Sequence, residues 1–248
     1  MSRFIHRFKA KNEHGLHSPF LFDFYTKGLK LNIPKDDLNL ISDYRKFLAT
    51  NYDKLLVRSP KGEKSTQQIG RIYIKEACGK THGKIIFKIA RYFQSKSILE
   101  LGSGFGVSTT YLAVGNPEAK IMNIDICQAR TQLAEQQLKP KLLLNKLGFV
   151  VGNVLDQVNR LPDLSFDLIH SDIPHLGPDL LKLAREIELK IHNESVWVIN
   201  HIRSDKETLA AFNQLQKLPW VKVSLDFYDY AIVFFRKEMS KEAHLLRL

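Results

Sequence analysis

The stretch Ser97-Ile98-Leu99-Glu100-Leu101-Gly102-Ser103-Gly104-Phe105-Gly106 runs from an apolar segment into three alternating glycines and then a helical pattern. It reads as strand, tight loop and helix. Downstream, Lys120-Ile121-Met122-Asn123-Ile124-Asp125 reads as a second buried strand that ends, 19 residues past Gly106, in a carboxylate. Glycines at 102, 104 and 106 remove the side chains that would keep a ligand off the loop, and the helix start presents free N–H groups to an anionic moiety. Asp125 has the reach to take both hydroxyls of a ribose. The spacing is GxGxG, not the GxGxxG of dinucleotide binders, and Glu100 before it suits an ammonium group better than a pyrophosphate. Carboxylate, ammonium and ribose together describe S-adenosylmethionine better than a dinucleotide.

Along the second part of the chain, strand patterns fall at 97–101, 120–125, 148–152, 166–171 and 195–200, with helical patterns from 106, 127, 154, 177 and 204. This βα succession predicts an α/β fold with a mainly parallel sheet. Trp220 to Phe227 and Tyr230 to Arg236 form a closing hairpin, so one strand is antiparallel to the rest. Pro140 is expected to kink or divide the helix begun near Cys127. Residues 1–96 read as a basic helical cap packed on a core of 97–248. In the cap, Ser18-Pro19 starts a helix, Asp37 to Asn51 and Gln67 to Ala77 are helical, Arg58 to Ser65 is a mobile loop, and Gly83 opens a helix to Phe93.

The net charge of +11 is uneven: residues 1–96 hold 20 Lys and Arg against 8 Asp and Glu, and the remainder 17 against 18. The surplus is either a solvated helical surface or a basic face for an anionic substrate, nucleic acid or a membrane surface. The charged start, Met1 to Arg7, does not suit a signal peptide, and no run approaches the ~18 apolar residues of a membrane span. Cys78 and Cys127 form no CxxC pair, so a disulfide framework or zinc site is not expected and a reducing cytoplasm fits.

Through Glu100 to Gly106 and Ile124-Asp125 together, the sequence resembles the class I S-adenosylmethionine-dependent methyltransferases. The resemblance implies a Rossmann-like, seven-stranded sheet with a final antiparallel strand. It puts Glu100, Gly102, Ser103, Gly104 and Gly106 near the methionine end, Asp125 on the ribose and Asn153 beside the adenine, with Ser108 as a further cofactor contact. In the O-methyltransferase branch a glycine-bearing loop also nears the methionine end, a role open to Gly83, although a helix start explains that glycine equally well.

Methyl transfer is an in-line displacement, so placement of donor and acceptor is the main requirement, and a hydroxyl acceptor also needs a base or a divalent cation. The fourth and fifth strands end at Asp172 and at Asn200-His201. These ends resemble the catechol-type O-methyltransferases, where an Asp and an Asp-Asn pair hold magnesium. Here Asn200-His201 stands in place of Asp-Asn, so Asp172 and Asn200 are the metal candidates and one carboxylate argues against the ion. Without a metal, His175 and His201 are the candidate bases beside Asp172. The expected reaction is methylation of a small-molecule hydroxyl. Asp172-Ile173-Pro174-His175 also matches loosely the signature of methyltransferases acting on adenine amino groups, with the basic cap then binding a nucleic-acid backbone. A cofactor-binding protein without catalysis is the third reading.

Overall fold

The computed structural model describes residues 2–58, 64–142, 144 and 146–248. The chain opens with helix α1 (Arg3–Lys9), a 3-10 turn (Glu13–Gly15), α2 (Pro19–Asp23) running into a π-helical segment (Phe24–Leu29), and α3 (Lys35–Ala49). Ser18 caps α2, its hydroxyl accepting from the Leu21 amide, with Pro19 in the first turn.

The next stretch departs from the helical reading. Strands β1 (Lys54–Arg58) and β2 (Lys64–Gln68) form a separate antiparallel hairpin. Five-residue runs such as Lys54-Leu55-Leu56-Val57-Arg58 are too short for periodicity to separate strand from helix. Of the loop expected over Arg58 to Ser65, residues 59–63 lie outside the described residues; its flanks pair, Arg58 opposite Lys64 and Val57 opposite Ser65. Helix α4 (Ile69–Glu76) follows. Helix α5 (Lys80–Phe93) is capped by Gly79, not opened by Gly83. Gly83 lies within α5, where a Cβ would sit 2.3 Å from the Tyr111 ring, so it serves helix packing.

From here the expected alternation holds: β3 (Ser97–Leu101), α6 (Val107–Gly115), β4 (Lys120–Asp125), α7 (Gln128–Leu138), β5 (Lys146–Val151), α8 (Val154–Asn159), β6 (Phe166–Ser171), α9 (Asp179–Lys190), β7 (Ile191–Asn200), α10 (Lys206–Leu215), β8 (Val223–Asp226), β9 (Tyr230–Phe234) and β10 (Glu242–Leu245). Helix α7 stops two residues before Pro140, so the proline ends the helix and does not kink it. The main sheet has the order β10-β8-β9-β7-β6-β3-β4-β5. Strand β9 pairs antiparallel with both β7 and β8, as the closing hairpin predicts. The seven expected strands are present, and β10 extends them to eight by running parallel to β8 at the edge.

Side chains alternate across the sheet and divide the core in two. Leu168 joins a cluster with Leu21, Phe24, Tyr44, Ile86 and Leu112, whereas Ile169 joins one with Leu180, Leu183, Phe212 and Leu215. The elements before β3 therefore bury their apolar side chains against one face of the sheet, and α8 to α10 cover the other. Strands β3, β4, β6 and β7 are parallel and end along one edge, at Leu101, Asp125, Ser171 and Asn200. That edge is where ligands bind in this topology.

Candidate active site

A cavity of about 550 Å³ opens along this edge. From the expected set it is lined by Gly102, Ser103, Gly104, Asp125, Asn153, Asp172, Asn200 and His201.

The glycine loop is held from both sides. Gly102 has φ +81°, and a Cβ there would meet the Asp172 carbonyl oxygen at 2.7 Å, so the loop after β6 packs directly on its backbone. At Gly104, with φ +54°, a Cβ would find nothing within 4 Å. The Gly104 amide donates to Asp125 Oδ2 at 2.8 Å and the Cys127 amide to Oδ1 at 2.7 Å. Asp125 thus clamps the loop and still has lone pairs on both oxygens. Ser103 Oγ is buried without a partner on the same wall. Asn153 caps α8, its Oδ1 accepting from Leu155 and Asp156.

Four expected cofactor residues sit away from the cavity surface. Glu100 is fully buried: Thr109 Oγ1 donates to its Oε2 at 2.6 Å, and His170 Nδ1 lies 3.5 Å from its Oε1. Its carboxylate is therefore an internal group of the core, because strand alternation turns it toward α6. Gly106 packs on Leu138, with 2.6 Å between that side chain and a Cβ built on it. Ser108 is buried within α6, and Gly83 is occupied by Tyr111.

At the other end, Trp197 Nε1 donates to Ser171 Oγ at 2.9 Å and fixes the ends of β6 and β7 together. Asp172 follows directly. Its Oδ1 accepts from Asn200 Nδ2 at 2.7 Å and lies 2.9 Å from His201 Nε2. Burial would raise the Asp172 pKa, but the His201 hydrogen bond and the neighbouring His170 and His82 rings prevail and hold it well below the usual carboxylate range. His201 is 42% exposed and adopts φ +60°, a left-handed conformation that costs a non-glycine residue free energy. His175, also left-handed, turns away: it is 71% exposed, pairs with Asp205 at 3.1 Å and does not line the cavity.

Other participants were not visible in the sequence. Cys78 lines the cavity as a neutral thiol, since burial, with Asp172 and Glu100 nearby, pushes its pKa well up. Arg130 also lines it and forms ion pairs with Glu76 and, at 3.9 Å, with Asp125. Behind the edge, His82 Nε2 is 3.0 Å from His170 Nε2, and burial, reinforced by His170, lowers the His82 pKa to about 3. These contacts join side chains 88 residues apart, which no local pattern signals.

Comparison with known proteins gives the arrangement its family. The family model described as a methyltransferase domain matches residues 93–241. Catechol O-methyltransferase of Mycobacterium tuberculosis is 29% identical over 91 residues, 36% of this chain and 41% of its own length. Ribosomal RNA small subunit methyltransferase G of Burkholderia lata is 31% identical over 115 residues, 46% of this chain and 49% of its own length. The chain spans about half the length of the curated relatives it matches. Among solved structures, the SAH-bound methyltransferase PaMTH1 of Podospora anserina shares the fold at a TM-score of 0.63 and 13% identity, over 90% of this chain and 97% of that one. With more than half of its residues inside the family model, the chain belongs to the class I S-adenosylmethionine-dependent methyltransferases.

Proposed function

We propose that the protein transfers a methyl group from S-adenosylmethionine to a hydroxyl of a small molecule, with His201 receiving the hydroxyl proton. One observation carries this reading: His201 Nε2 lies 2.9 Å from Asp172 Oδ1 on the cavity that also exposes the glycine loop. The residues fit the cofactor. Gly104 leaves open space, Ser103 Oγ is an unpartnered buried hydroxyl and Asp125 keeps acceptor capacity for a ribose. Asn153 Oδ1 is engaged in capping, which leaves its amide N–H groups for a purine edge. When bound, S-adenosylmethionine supplies an electrophilic methyl group on a sulfonium.

The chain's own contribution is positioning and proton removal. With Nε2–H donating to Asp172, His201 presents Nδ1 as acceptor, and the ionised Asp172 stabilises the imidazolium that forms. Asn200 Nδ2, donating to the same carboxylate, fixes its orientation. Asp172, Asn200 and His201 supply one carboxylate, one amide and one imidazole, a donor set that does not fit a hard divalent cation. Among the described residues no group of three or more His, Cys, Asp or Glu could hold a metal.

The test is a product assay with S-adenosylmethionine and a panel of phenolic, catecholic and aliphatic hydroxyl acceptors. A methylated oxygen is expected, and His201→Ala is expected to lower kcat by about 10²- to 10⁴-fold with cofactor affinity unchanged. Full activity in that variant would sink the assigned base. A nucleic-acid acceptor is the second reading, favoured by the charge surplus before β3 and by the similarity to an rRNA methyltransferase. It requires RNA affinity that falls steeply with salt.

A further inference from the structure

A second cavity, of about 420 Å³, lies among α3, α4, α5 and α6, outside the methyl-transfer site. Its lining includes Arg45 and Lys46 from α3 and Lys80 and Lys84 from α5, with Tyr73 and Tyr111 as aromatic walls and no carboxylate. The acids of α3, Asp36, Asp37 and Asp43, do not line the space. The ammonium groups of Lys46, Lys80 and Lys84 make no ion pair or hydrogen bond with a described residue. Arg45 is held in place on this wall: Nη1 donates to the Cys78 carbonyl at 2.8 Å, Tyr111 is a further hydrogen-bond partner, and its guanidinium lies 5.6 Å from the Tyr73 ring centroid.

Four cations line one concave space with no carboxylate among its described lining residues, a lining that suits an anion carrying more than one negative charge. A guanidinium fixed in place beside flexible ammonium groups suits phosphate oxygens. The space exceeds a single phosphate group, and two tyrosine rings wall the remainder. We infer that this cavity is a binding site for a phosphate monoester of a small organic molecule. Arg45 would couple it to the methyl-transfer cavity, because the Cys78 carbonyl it holds belongs to a segment lining that cavity.

Calorimetric titration of the full chain with phenyl phosphate and with inorganic phosphate tests this independently of any methyl transfer. One saturable site per chain is expected, tighter for phenyl phosphate, and weakened at least about ten-fold in Lys80→Glu/Lys84→Glu. S-adenosylmethionine affinity and the unfolding temperature of that variant should match the parent, which shows that the fold survives. The milder Lys80→Gln/Lys84→Gln should fall between the two and keeps the test decisive if charge reversal unfolds the chain. Absence of saturable binding, or equal binding in parent and both variants, overturns the site. Equal affinity for the two anions overturns the organic part, and a short RNA that binds these residues more tightly than phenyl phosphate overturns the small-molecule assignment.

Discussion

Asp125 clamps the glycine loop and in the proposed site also takes the ribose with the same carboxylate, two roles whose separation can be measured. Its two oxygens accept the Gly104 and Cys127 amides, and charge-assisted hydrogen bonds of this kind each contribute about 1.5–3 kcal/mol. Asp125→Ala is therefore expected to lower S-adenosylmethionine affinity by about 10- to 100-fold, read by calorimetry, and unchanged affinity would refute the ribose role. The glycines divide in the same way. Gly104→Ala places a methyl group in open space at φ +54°, so the expected result is weakened cofactor binding with only about 1–2 kcal/mol of lost stability. Gly102→Ala adds an overlap with the Asp172 carbonyl at 2.7 Å and is expected to cost about 1–3 kcal/mol more. Equal denaturation midpoints for the two variants would contradict this difference. The glycine loop and Asp125 were legible because their chemistry depends on spacing along the chain. Glu100 was not, since alternation puts it on the side opposite Leu99 and Leu101 but does not reveal that Thr109 and His170 wait there. The separation of His201 from His175 was equally hidden, as it depends on partners 29 and 30 residues away.

Helix α10 shows how an element fixes the site's border. Its N-cap, Asp205, accepts from the Thr208 amide and from the Thr208 and Ser204 hydroxyls, and it pairs with His175. These contacts, led by the Thr208 amide, lower its pKa to about 2. The unfolded chain would titrate near about 3.9. Folding therefore gains from the ionised cap above about pH 4 and loses that gain as the pH falls toward about 2. Asp205→Ala should melt below the parent at pH 7, and the gap between their melting temperatures should close across that acid window. A gap that stays constant would mean that the cap is not ionised in the way described. At this scale the sequence was most informative after residue 96, where strands alternate with capped helices over a long run. It was least informative at β1 and β2, whose pairing is purely mutual, and at Pro140, where a kink and an end differ only in whether the residues beyond the proline resume the helix.

Across the whole molecule, the elements before β3 share one apolar cluster with the sheet, and they also hold the glycine loop directly. Tyr44 in α3 is fully buried and donates its hydroxyl to the Phe105 carbonyl at 2.5 Å, inside the glycine loop and 61 residues away. Burial raises its pKa, so the phenol stays a donor at any working pH. The elements before β3 thus help to shape the loop and also carry the surplus charge. Tyr44→Phe removes only the hydroxyl and leaves a desolvated carbonyl, a loss of about 1–3 kcal/mol. In the proposed site the loop it frees meets the cofactor, so urea denaturation should show the lower stability and calorimetry should show weaker S-adenosylmethionine binding in the same variant. A stability loss with unchanged cofactor affinity would make Tyr44 a core residue only and would confine the cap's contribution to packing and charge.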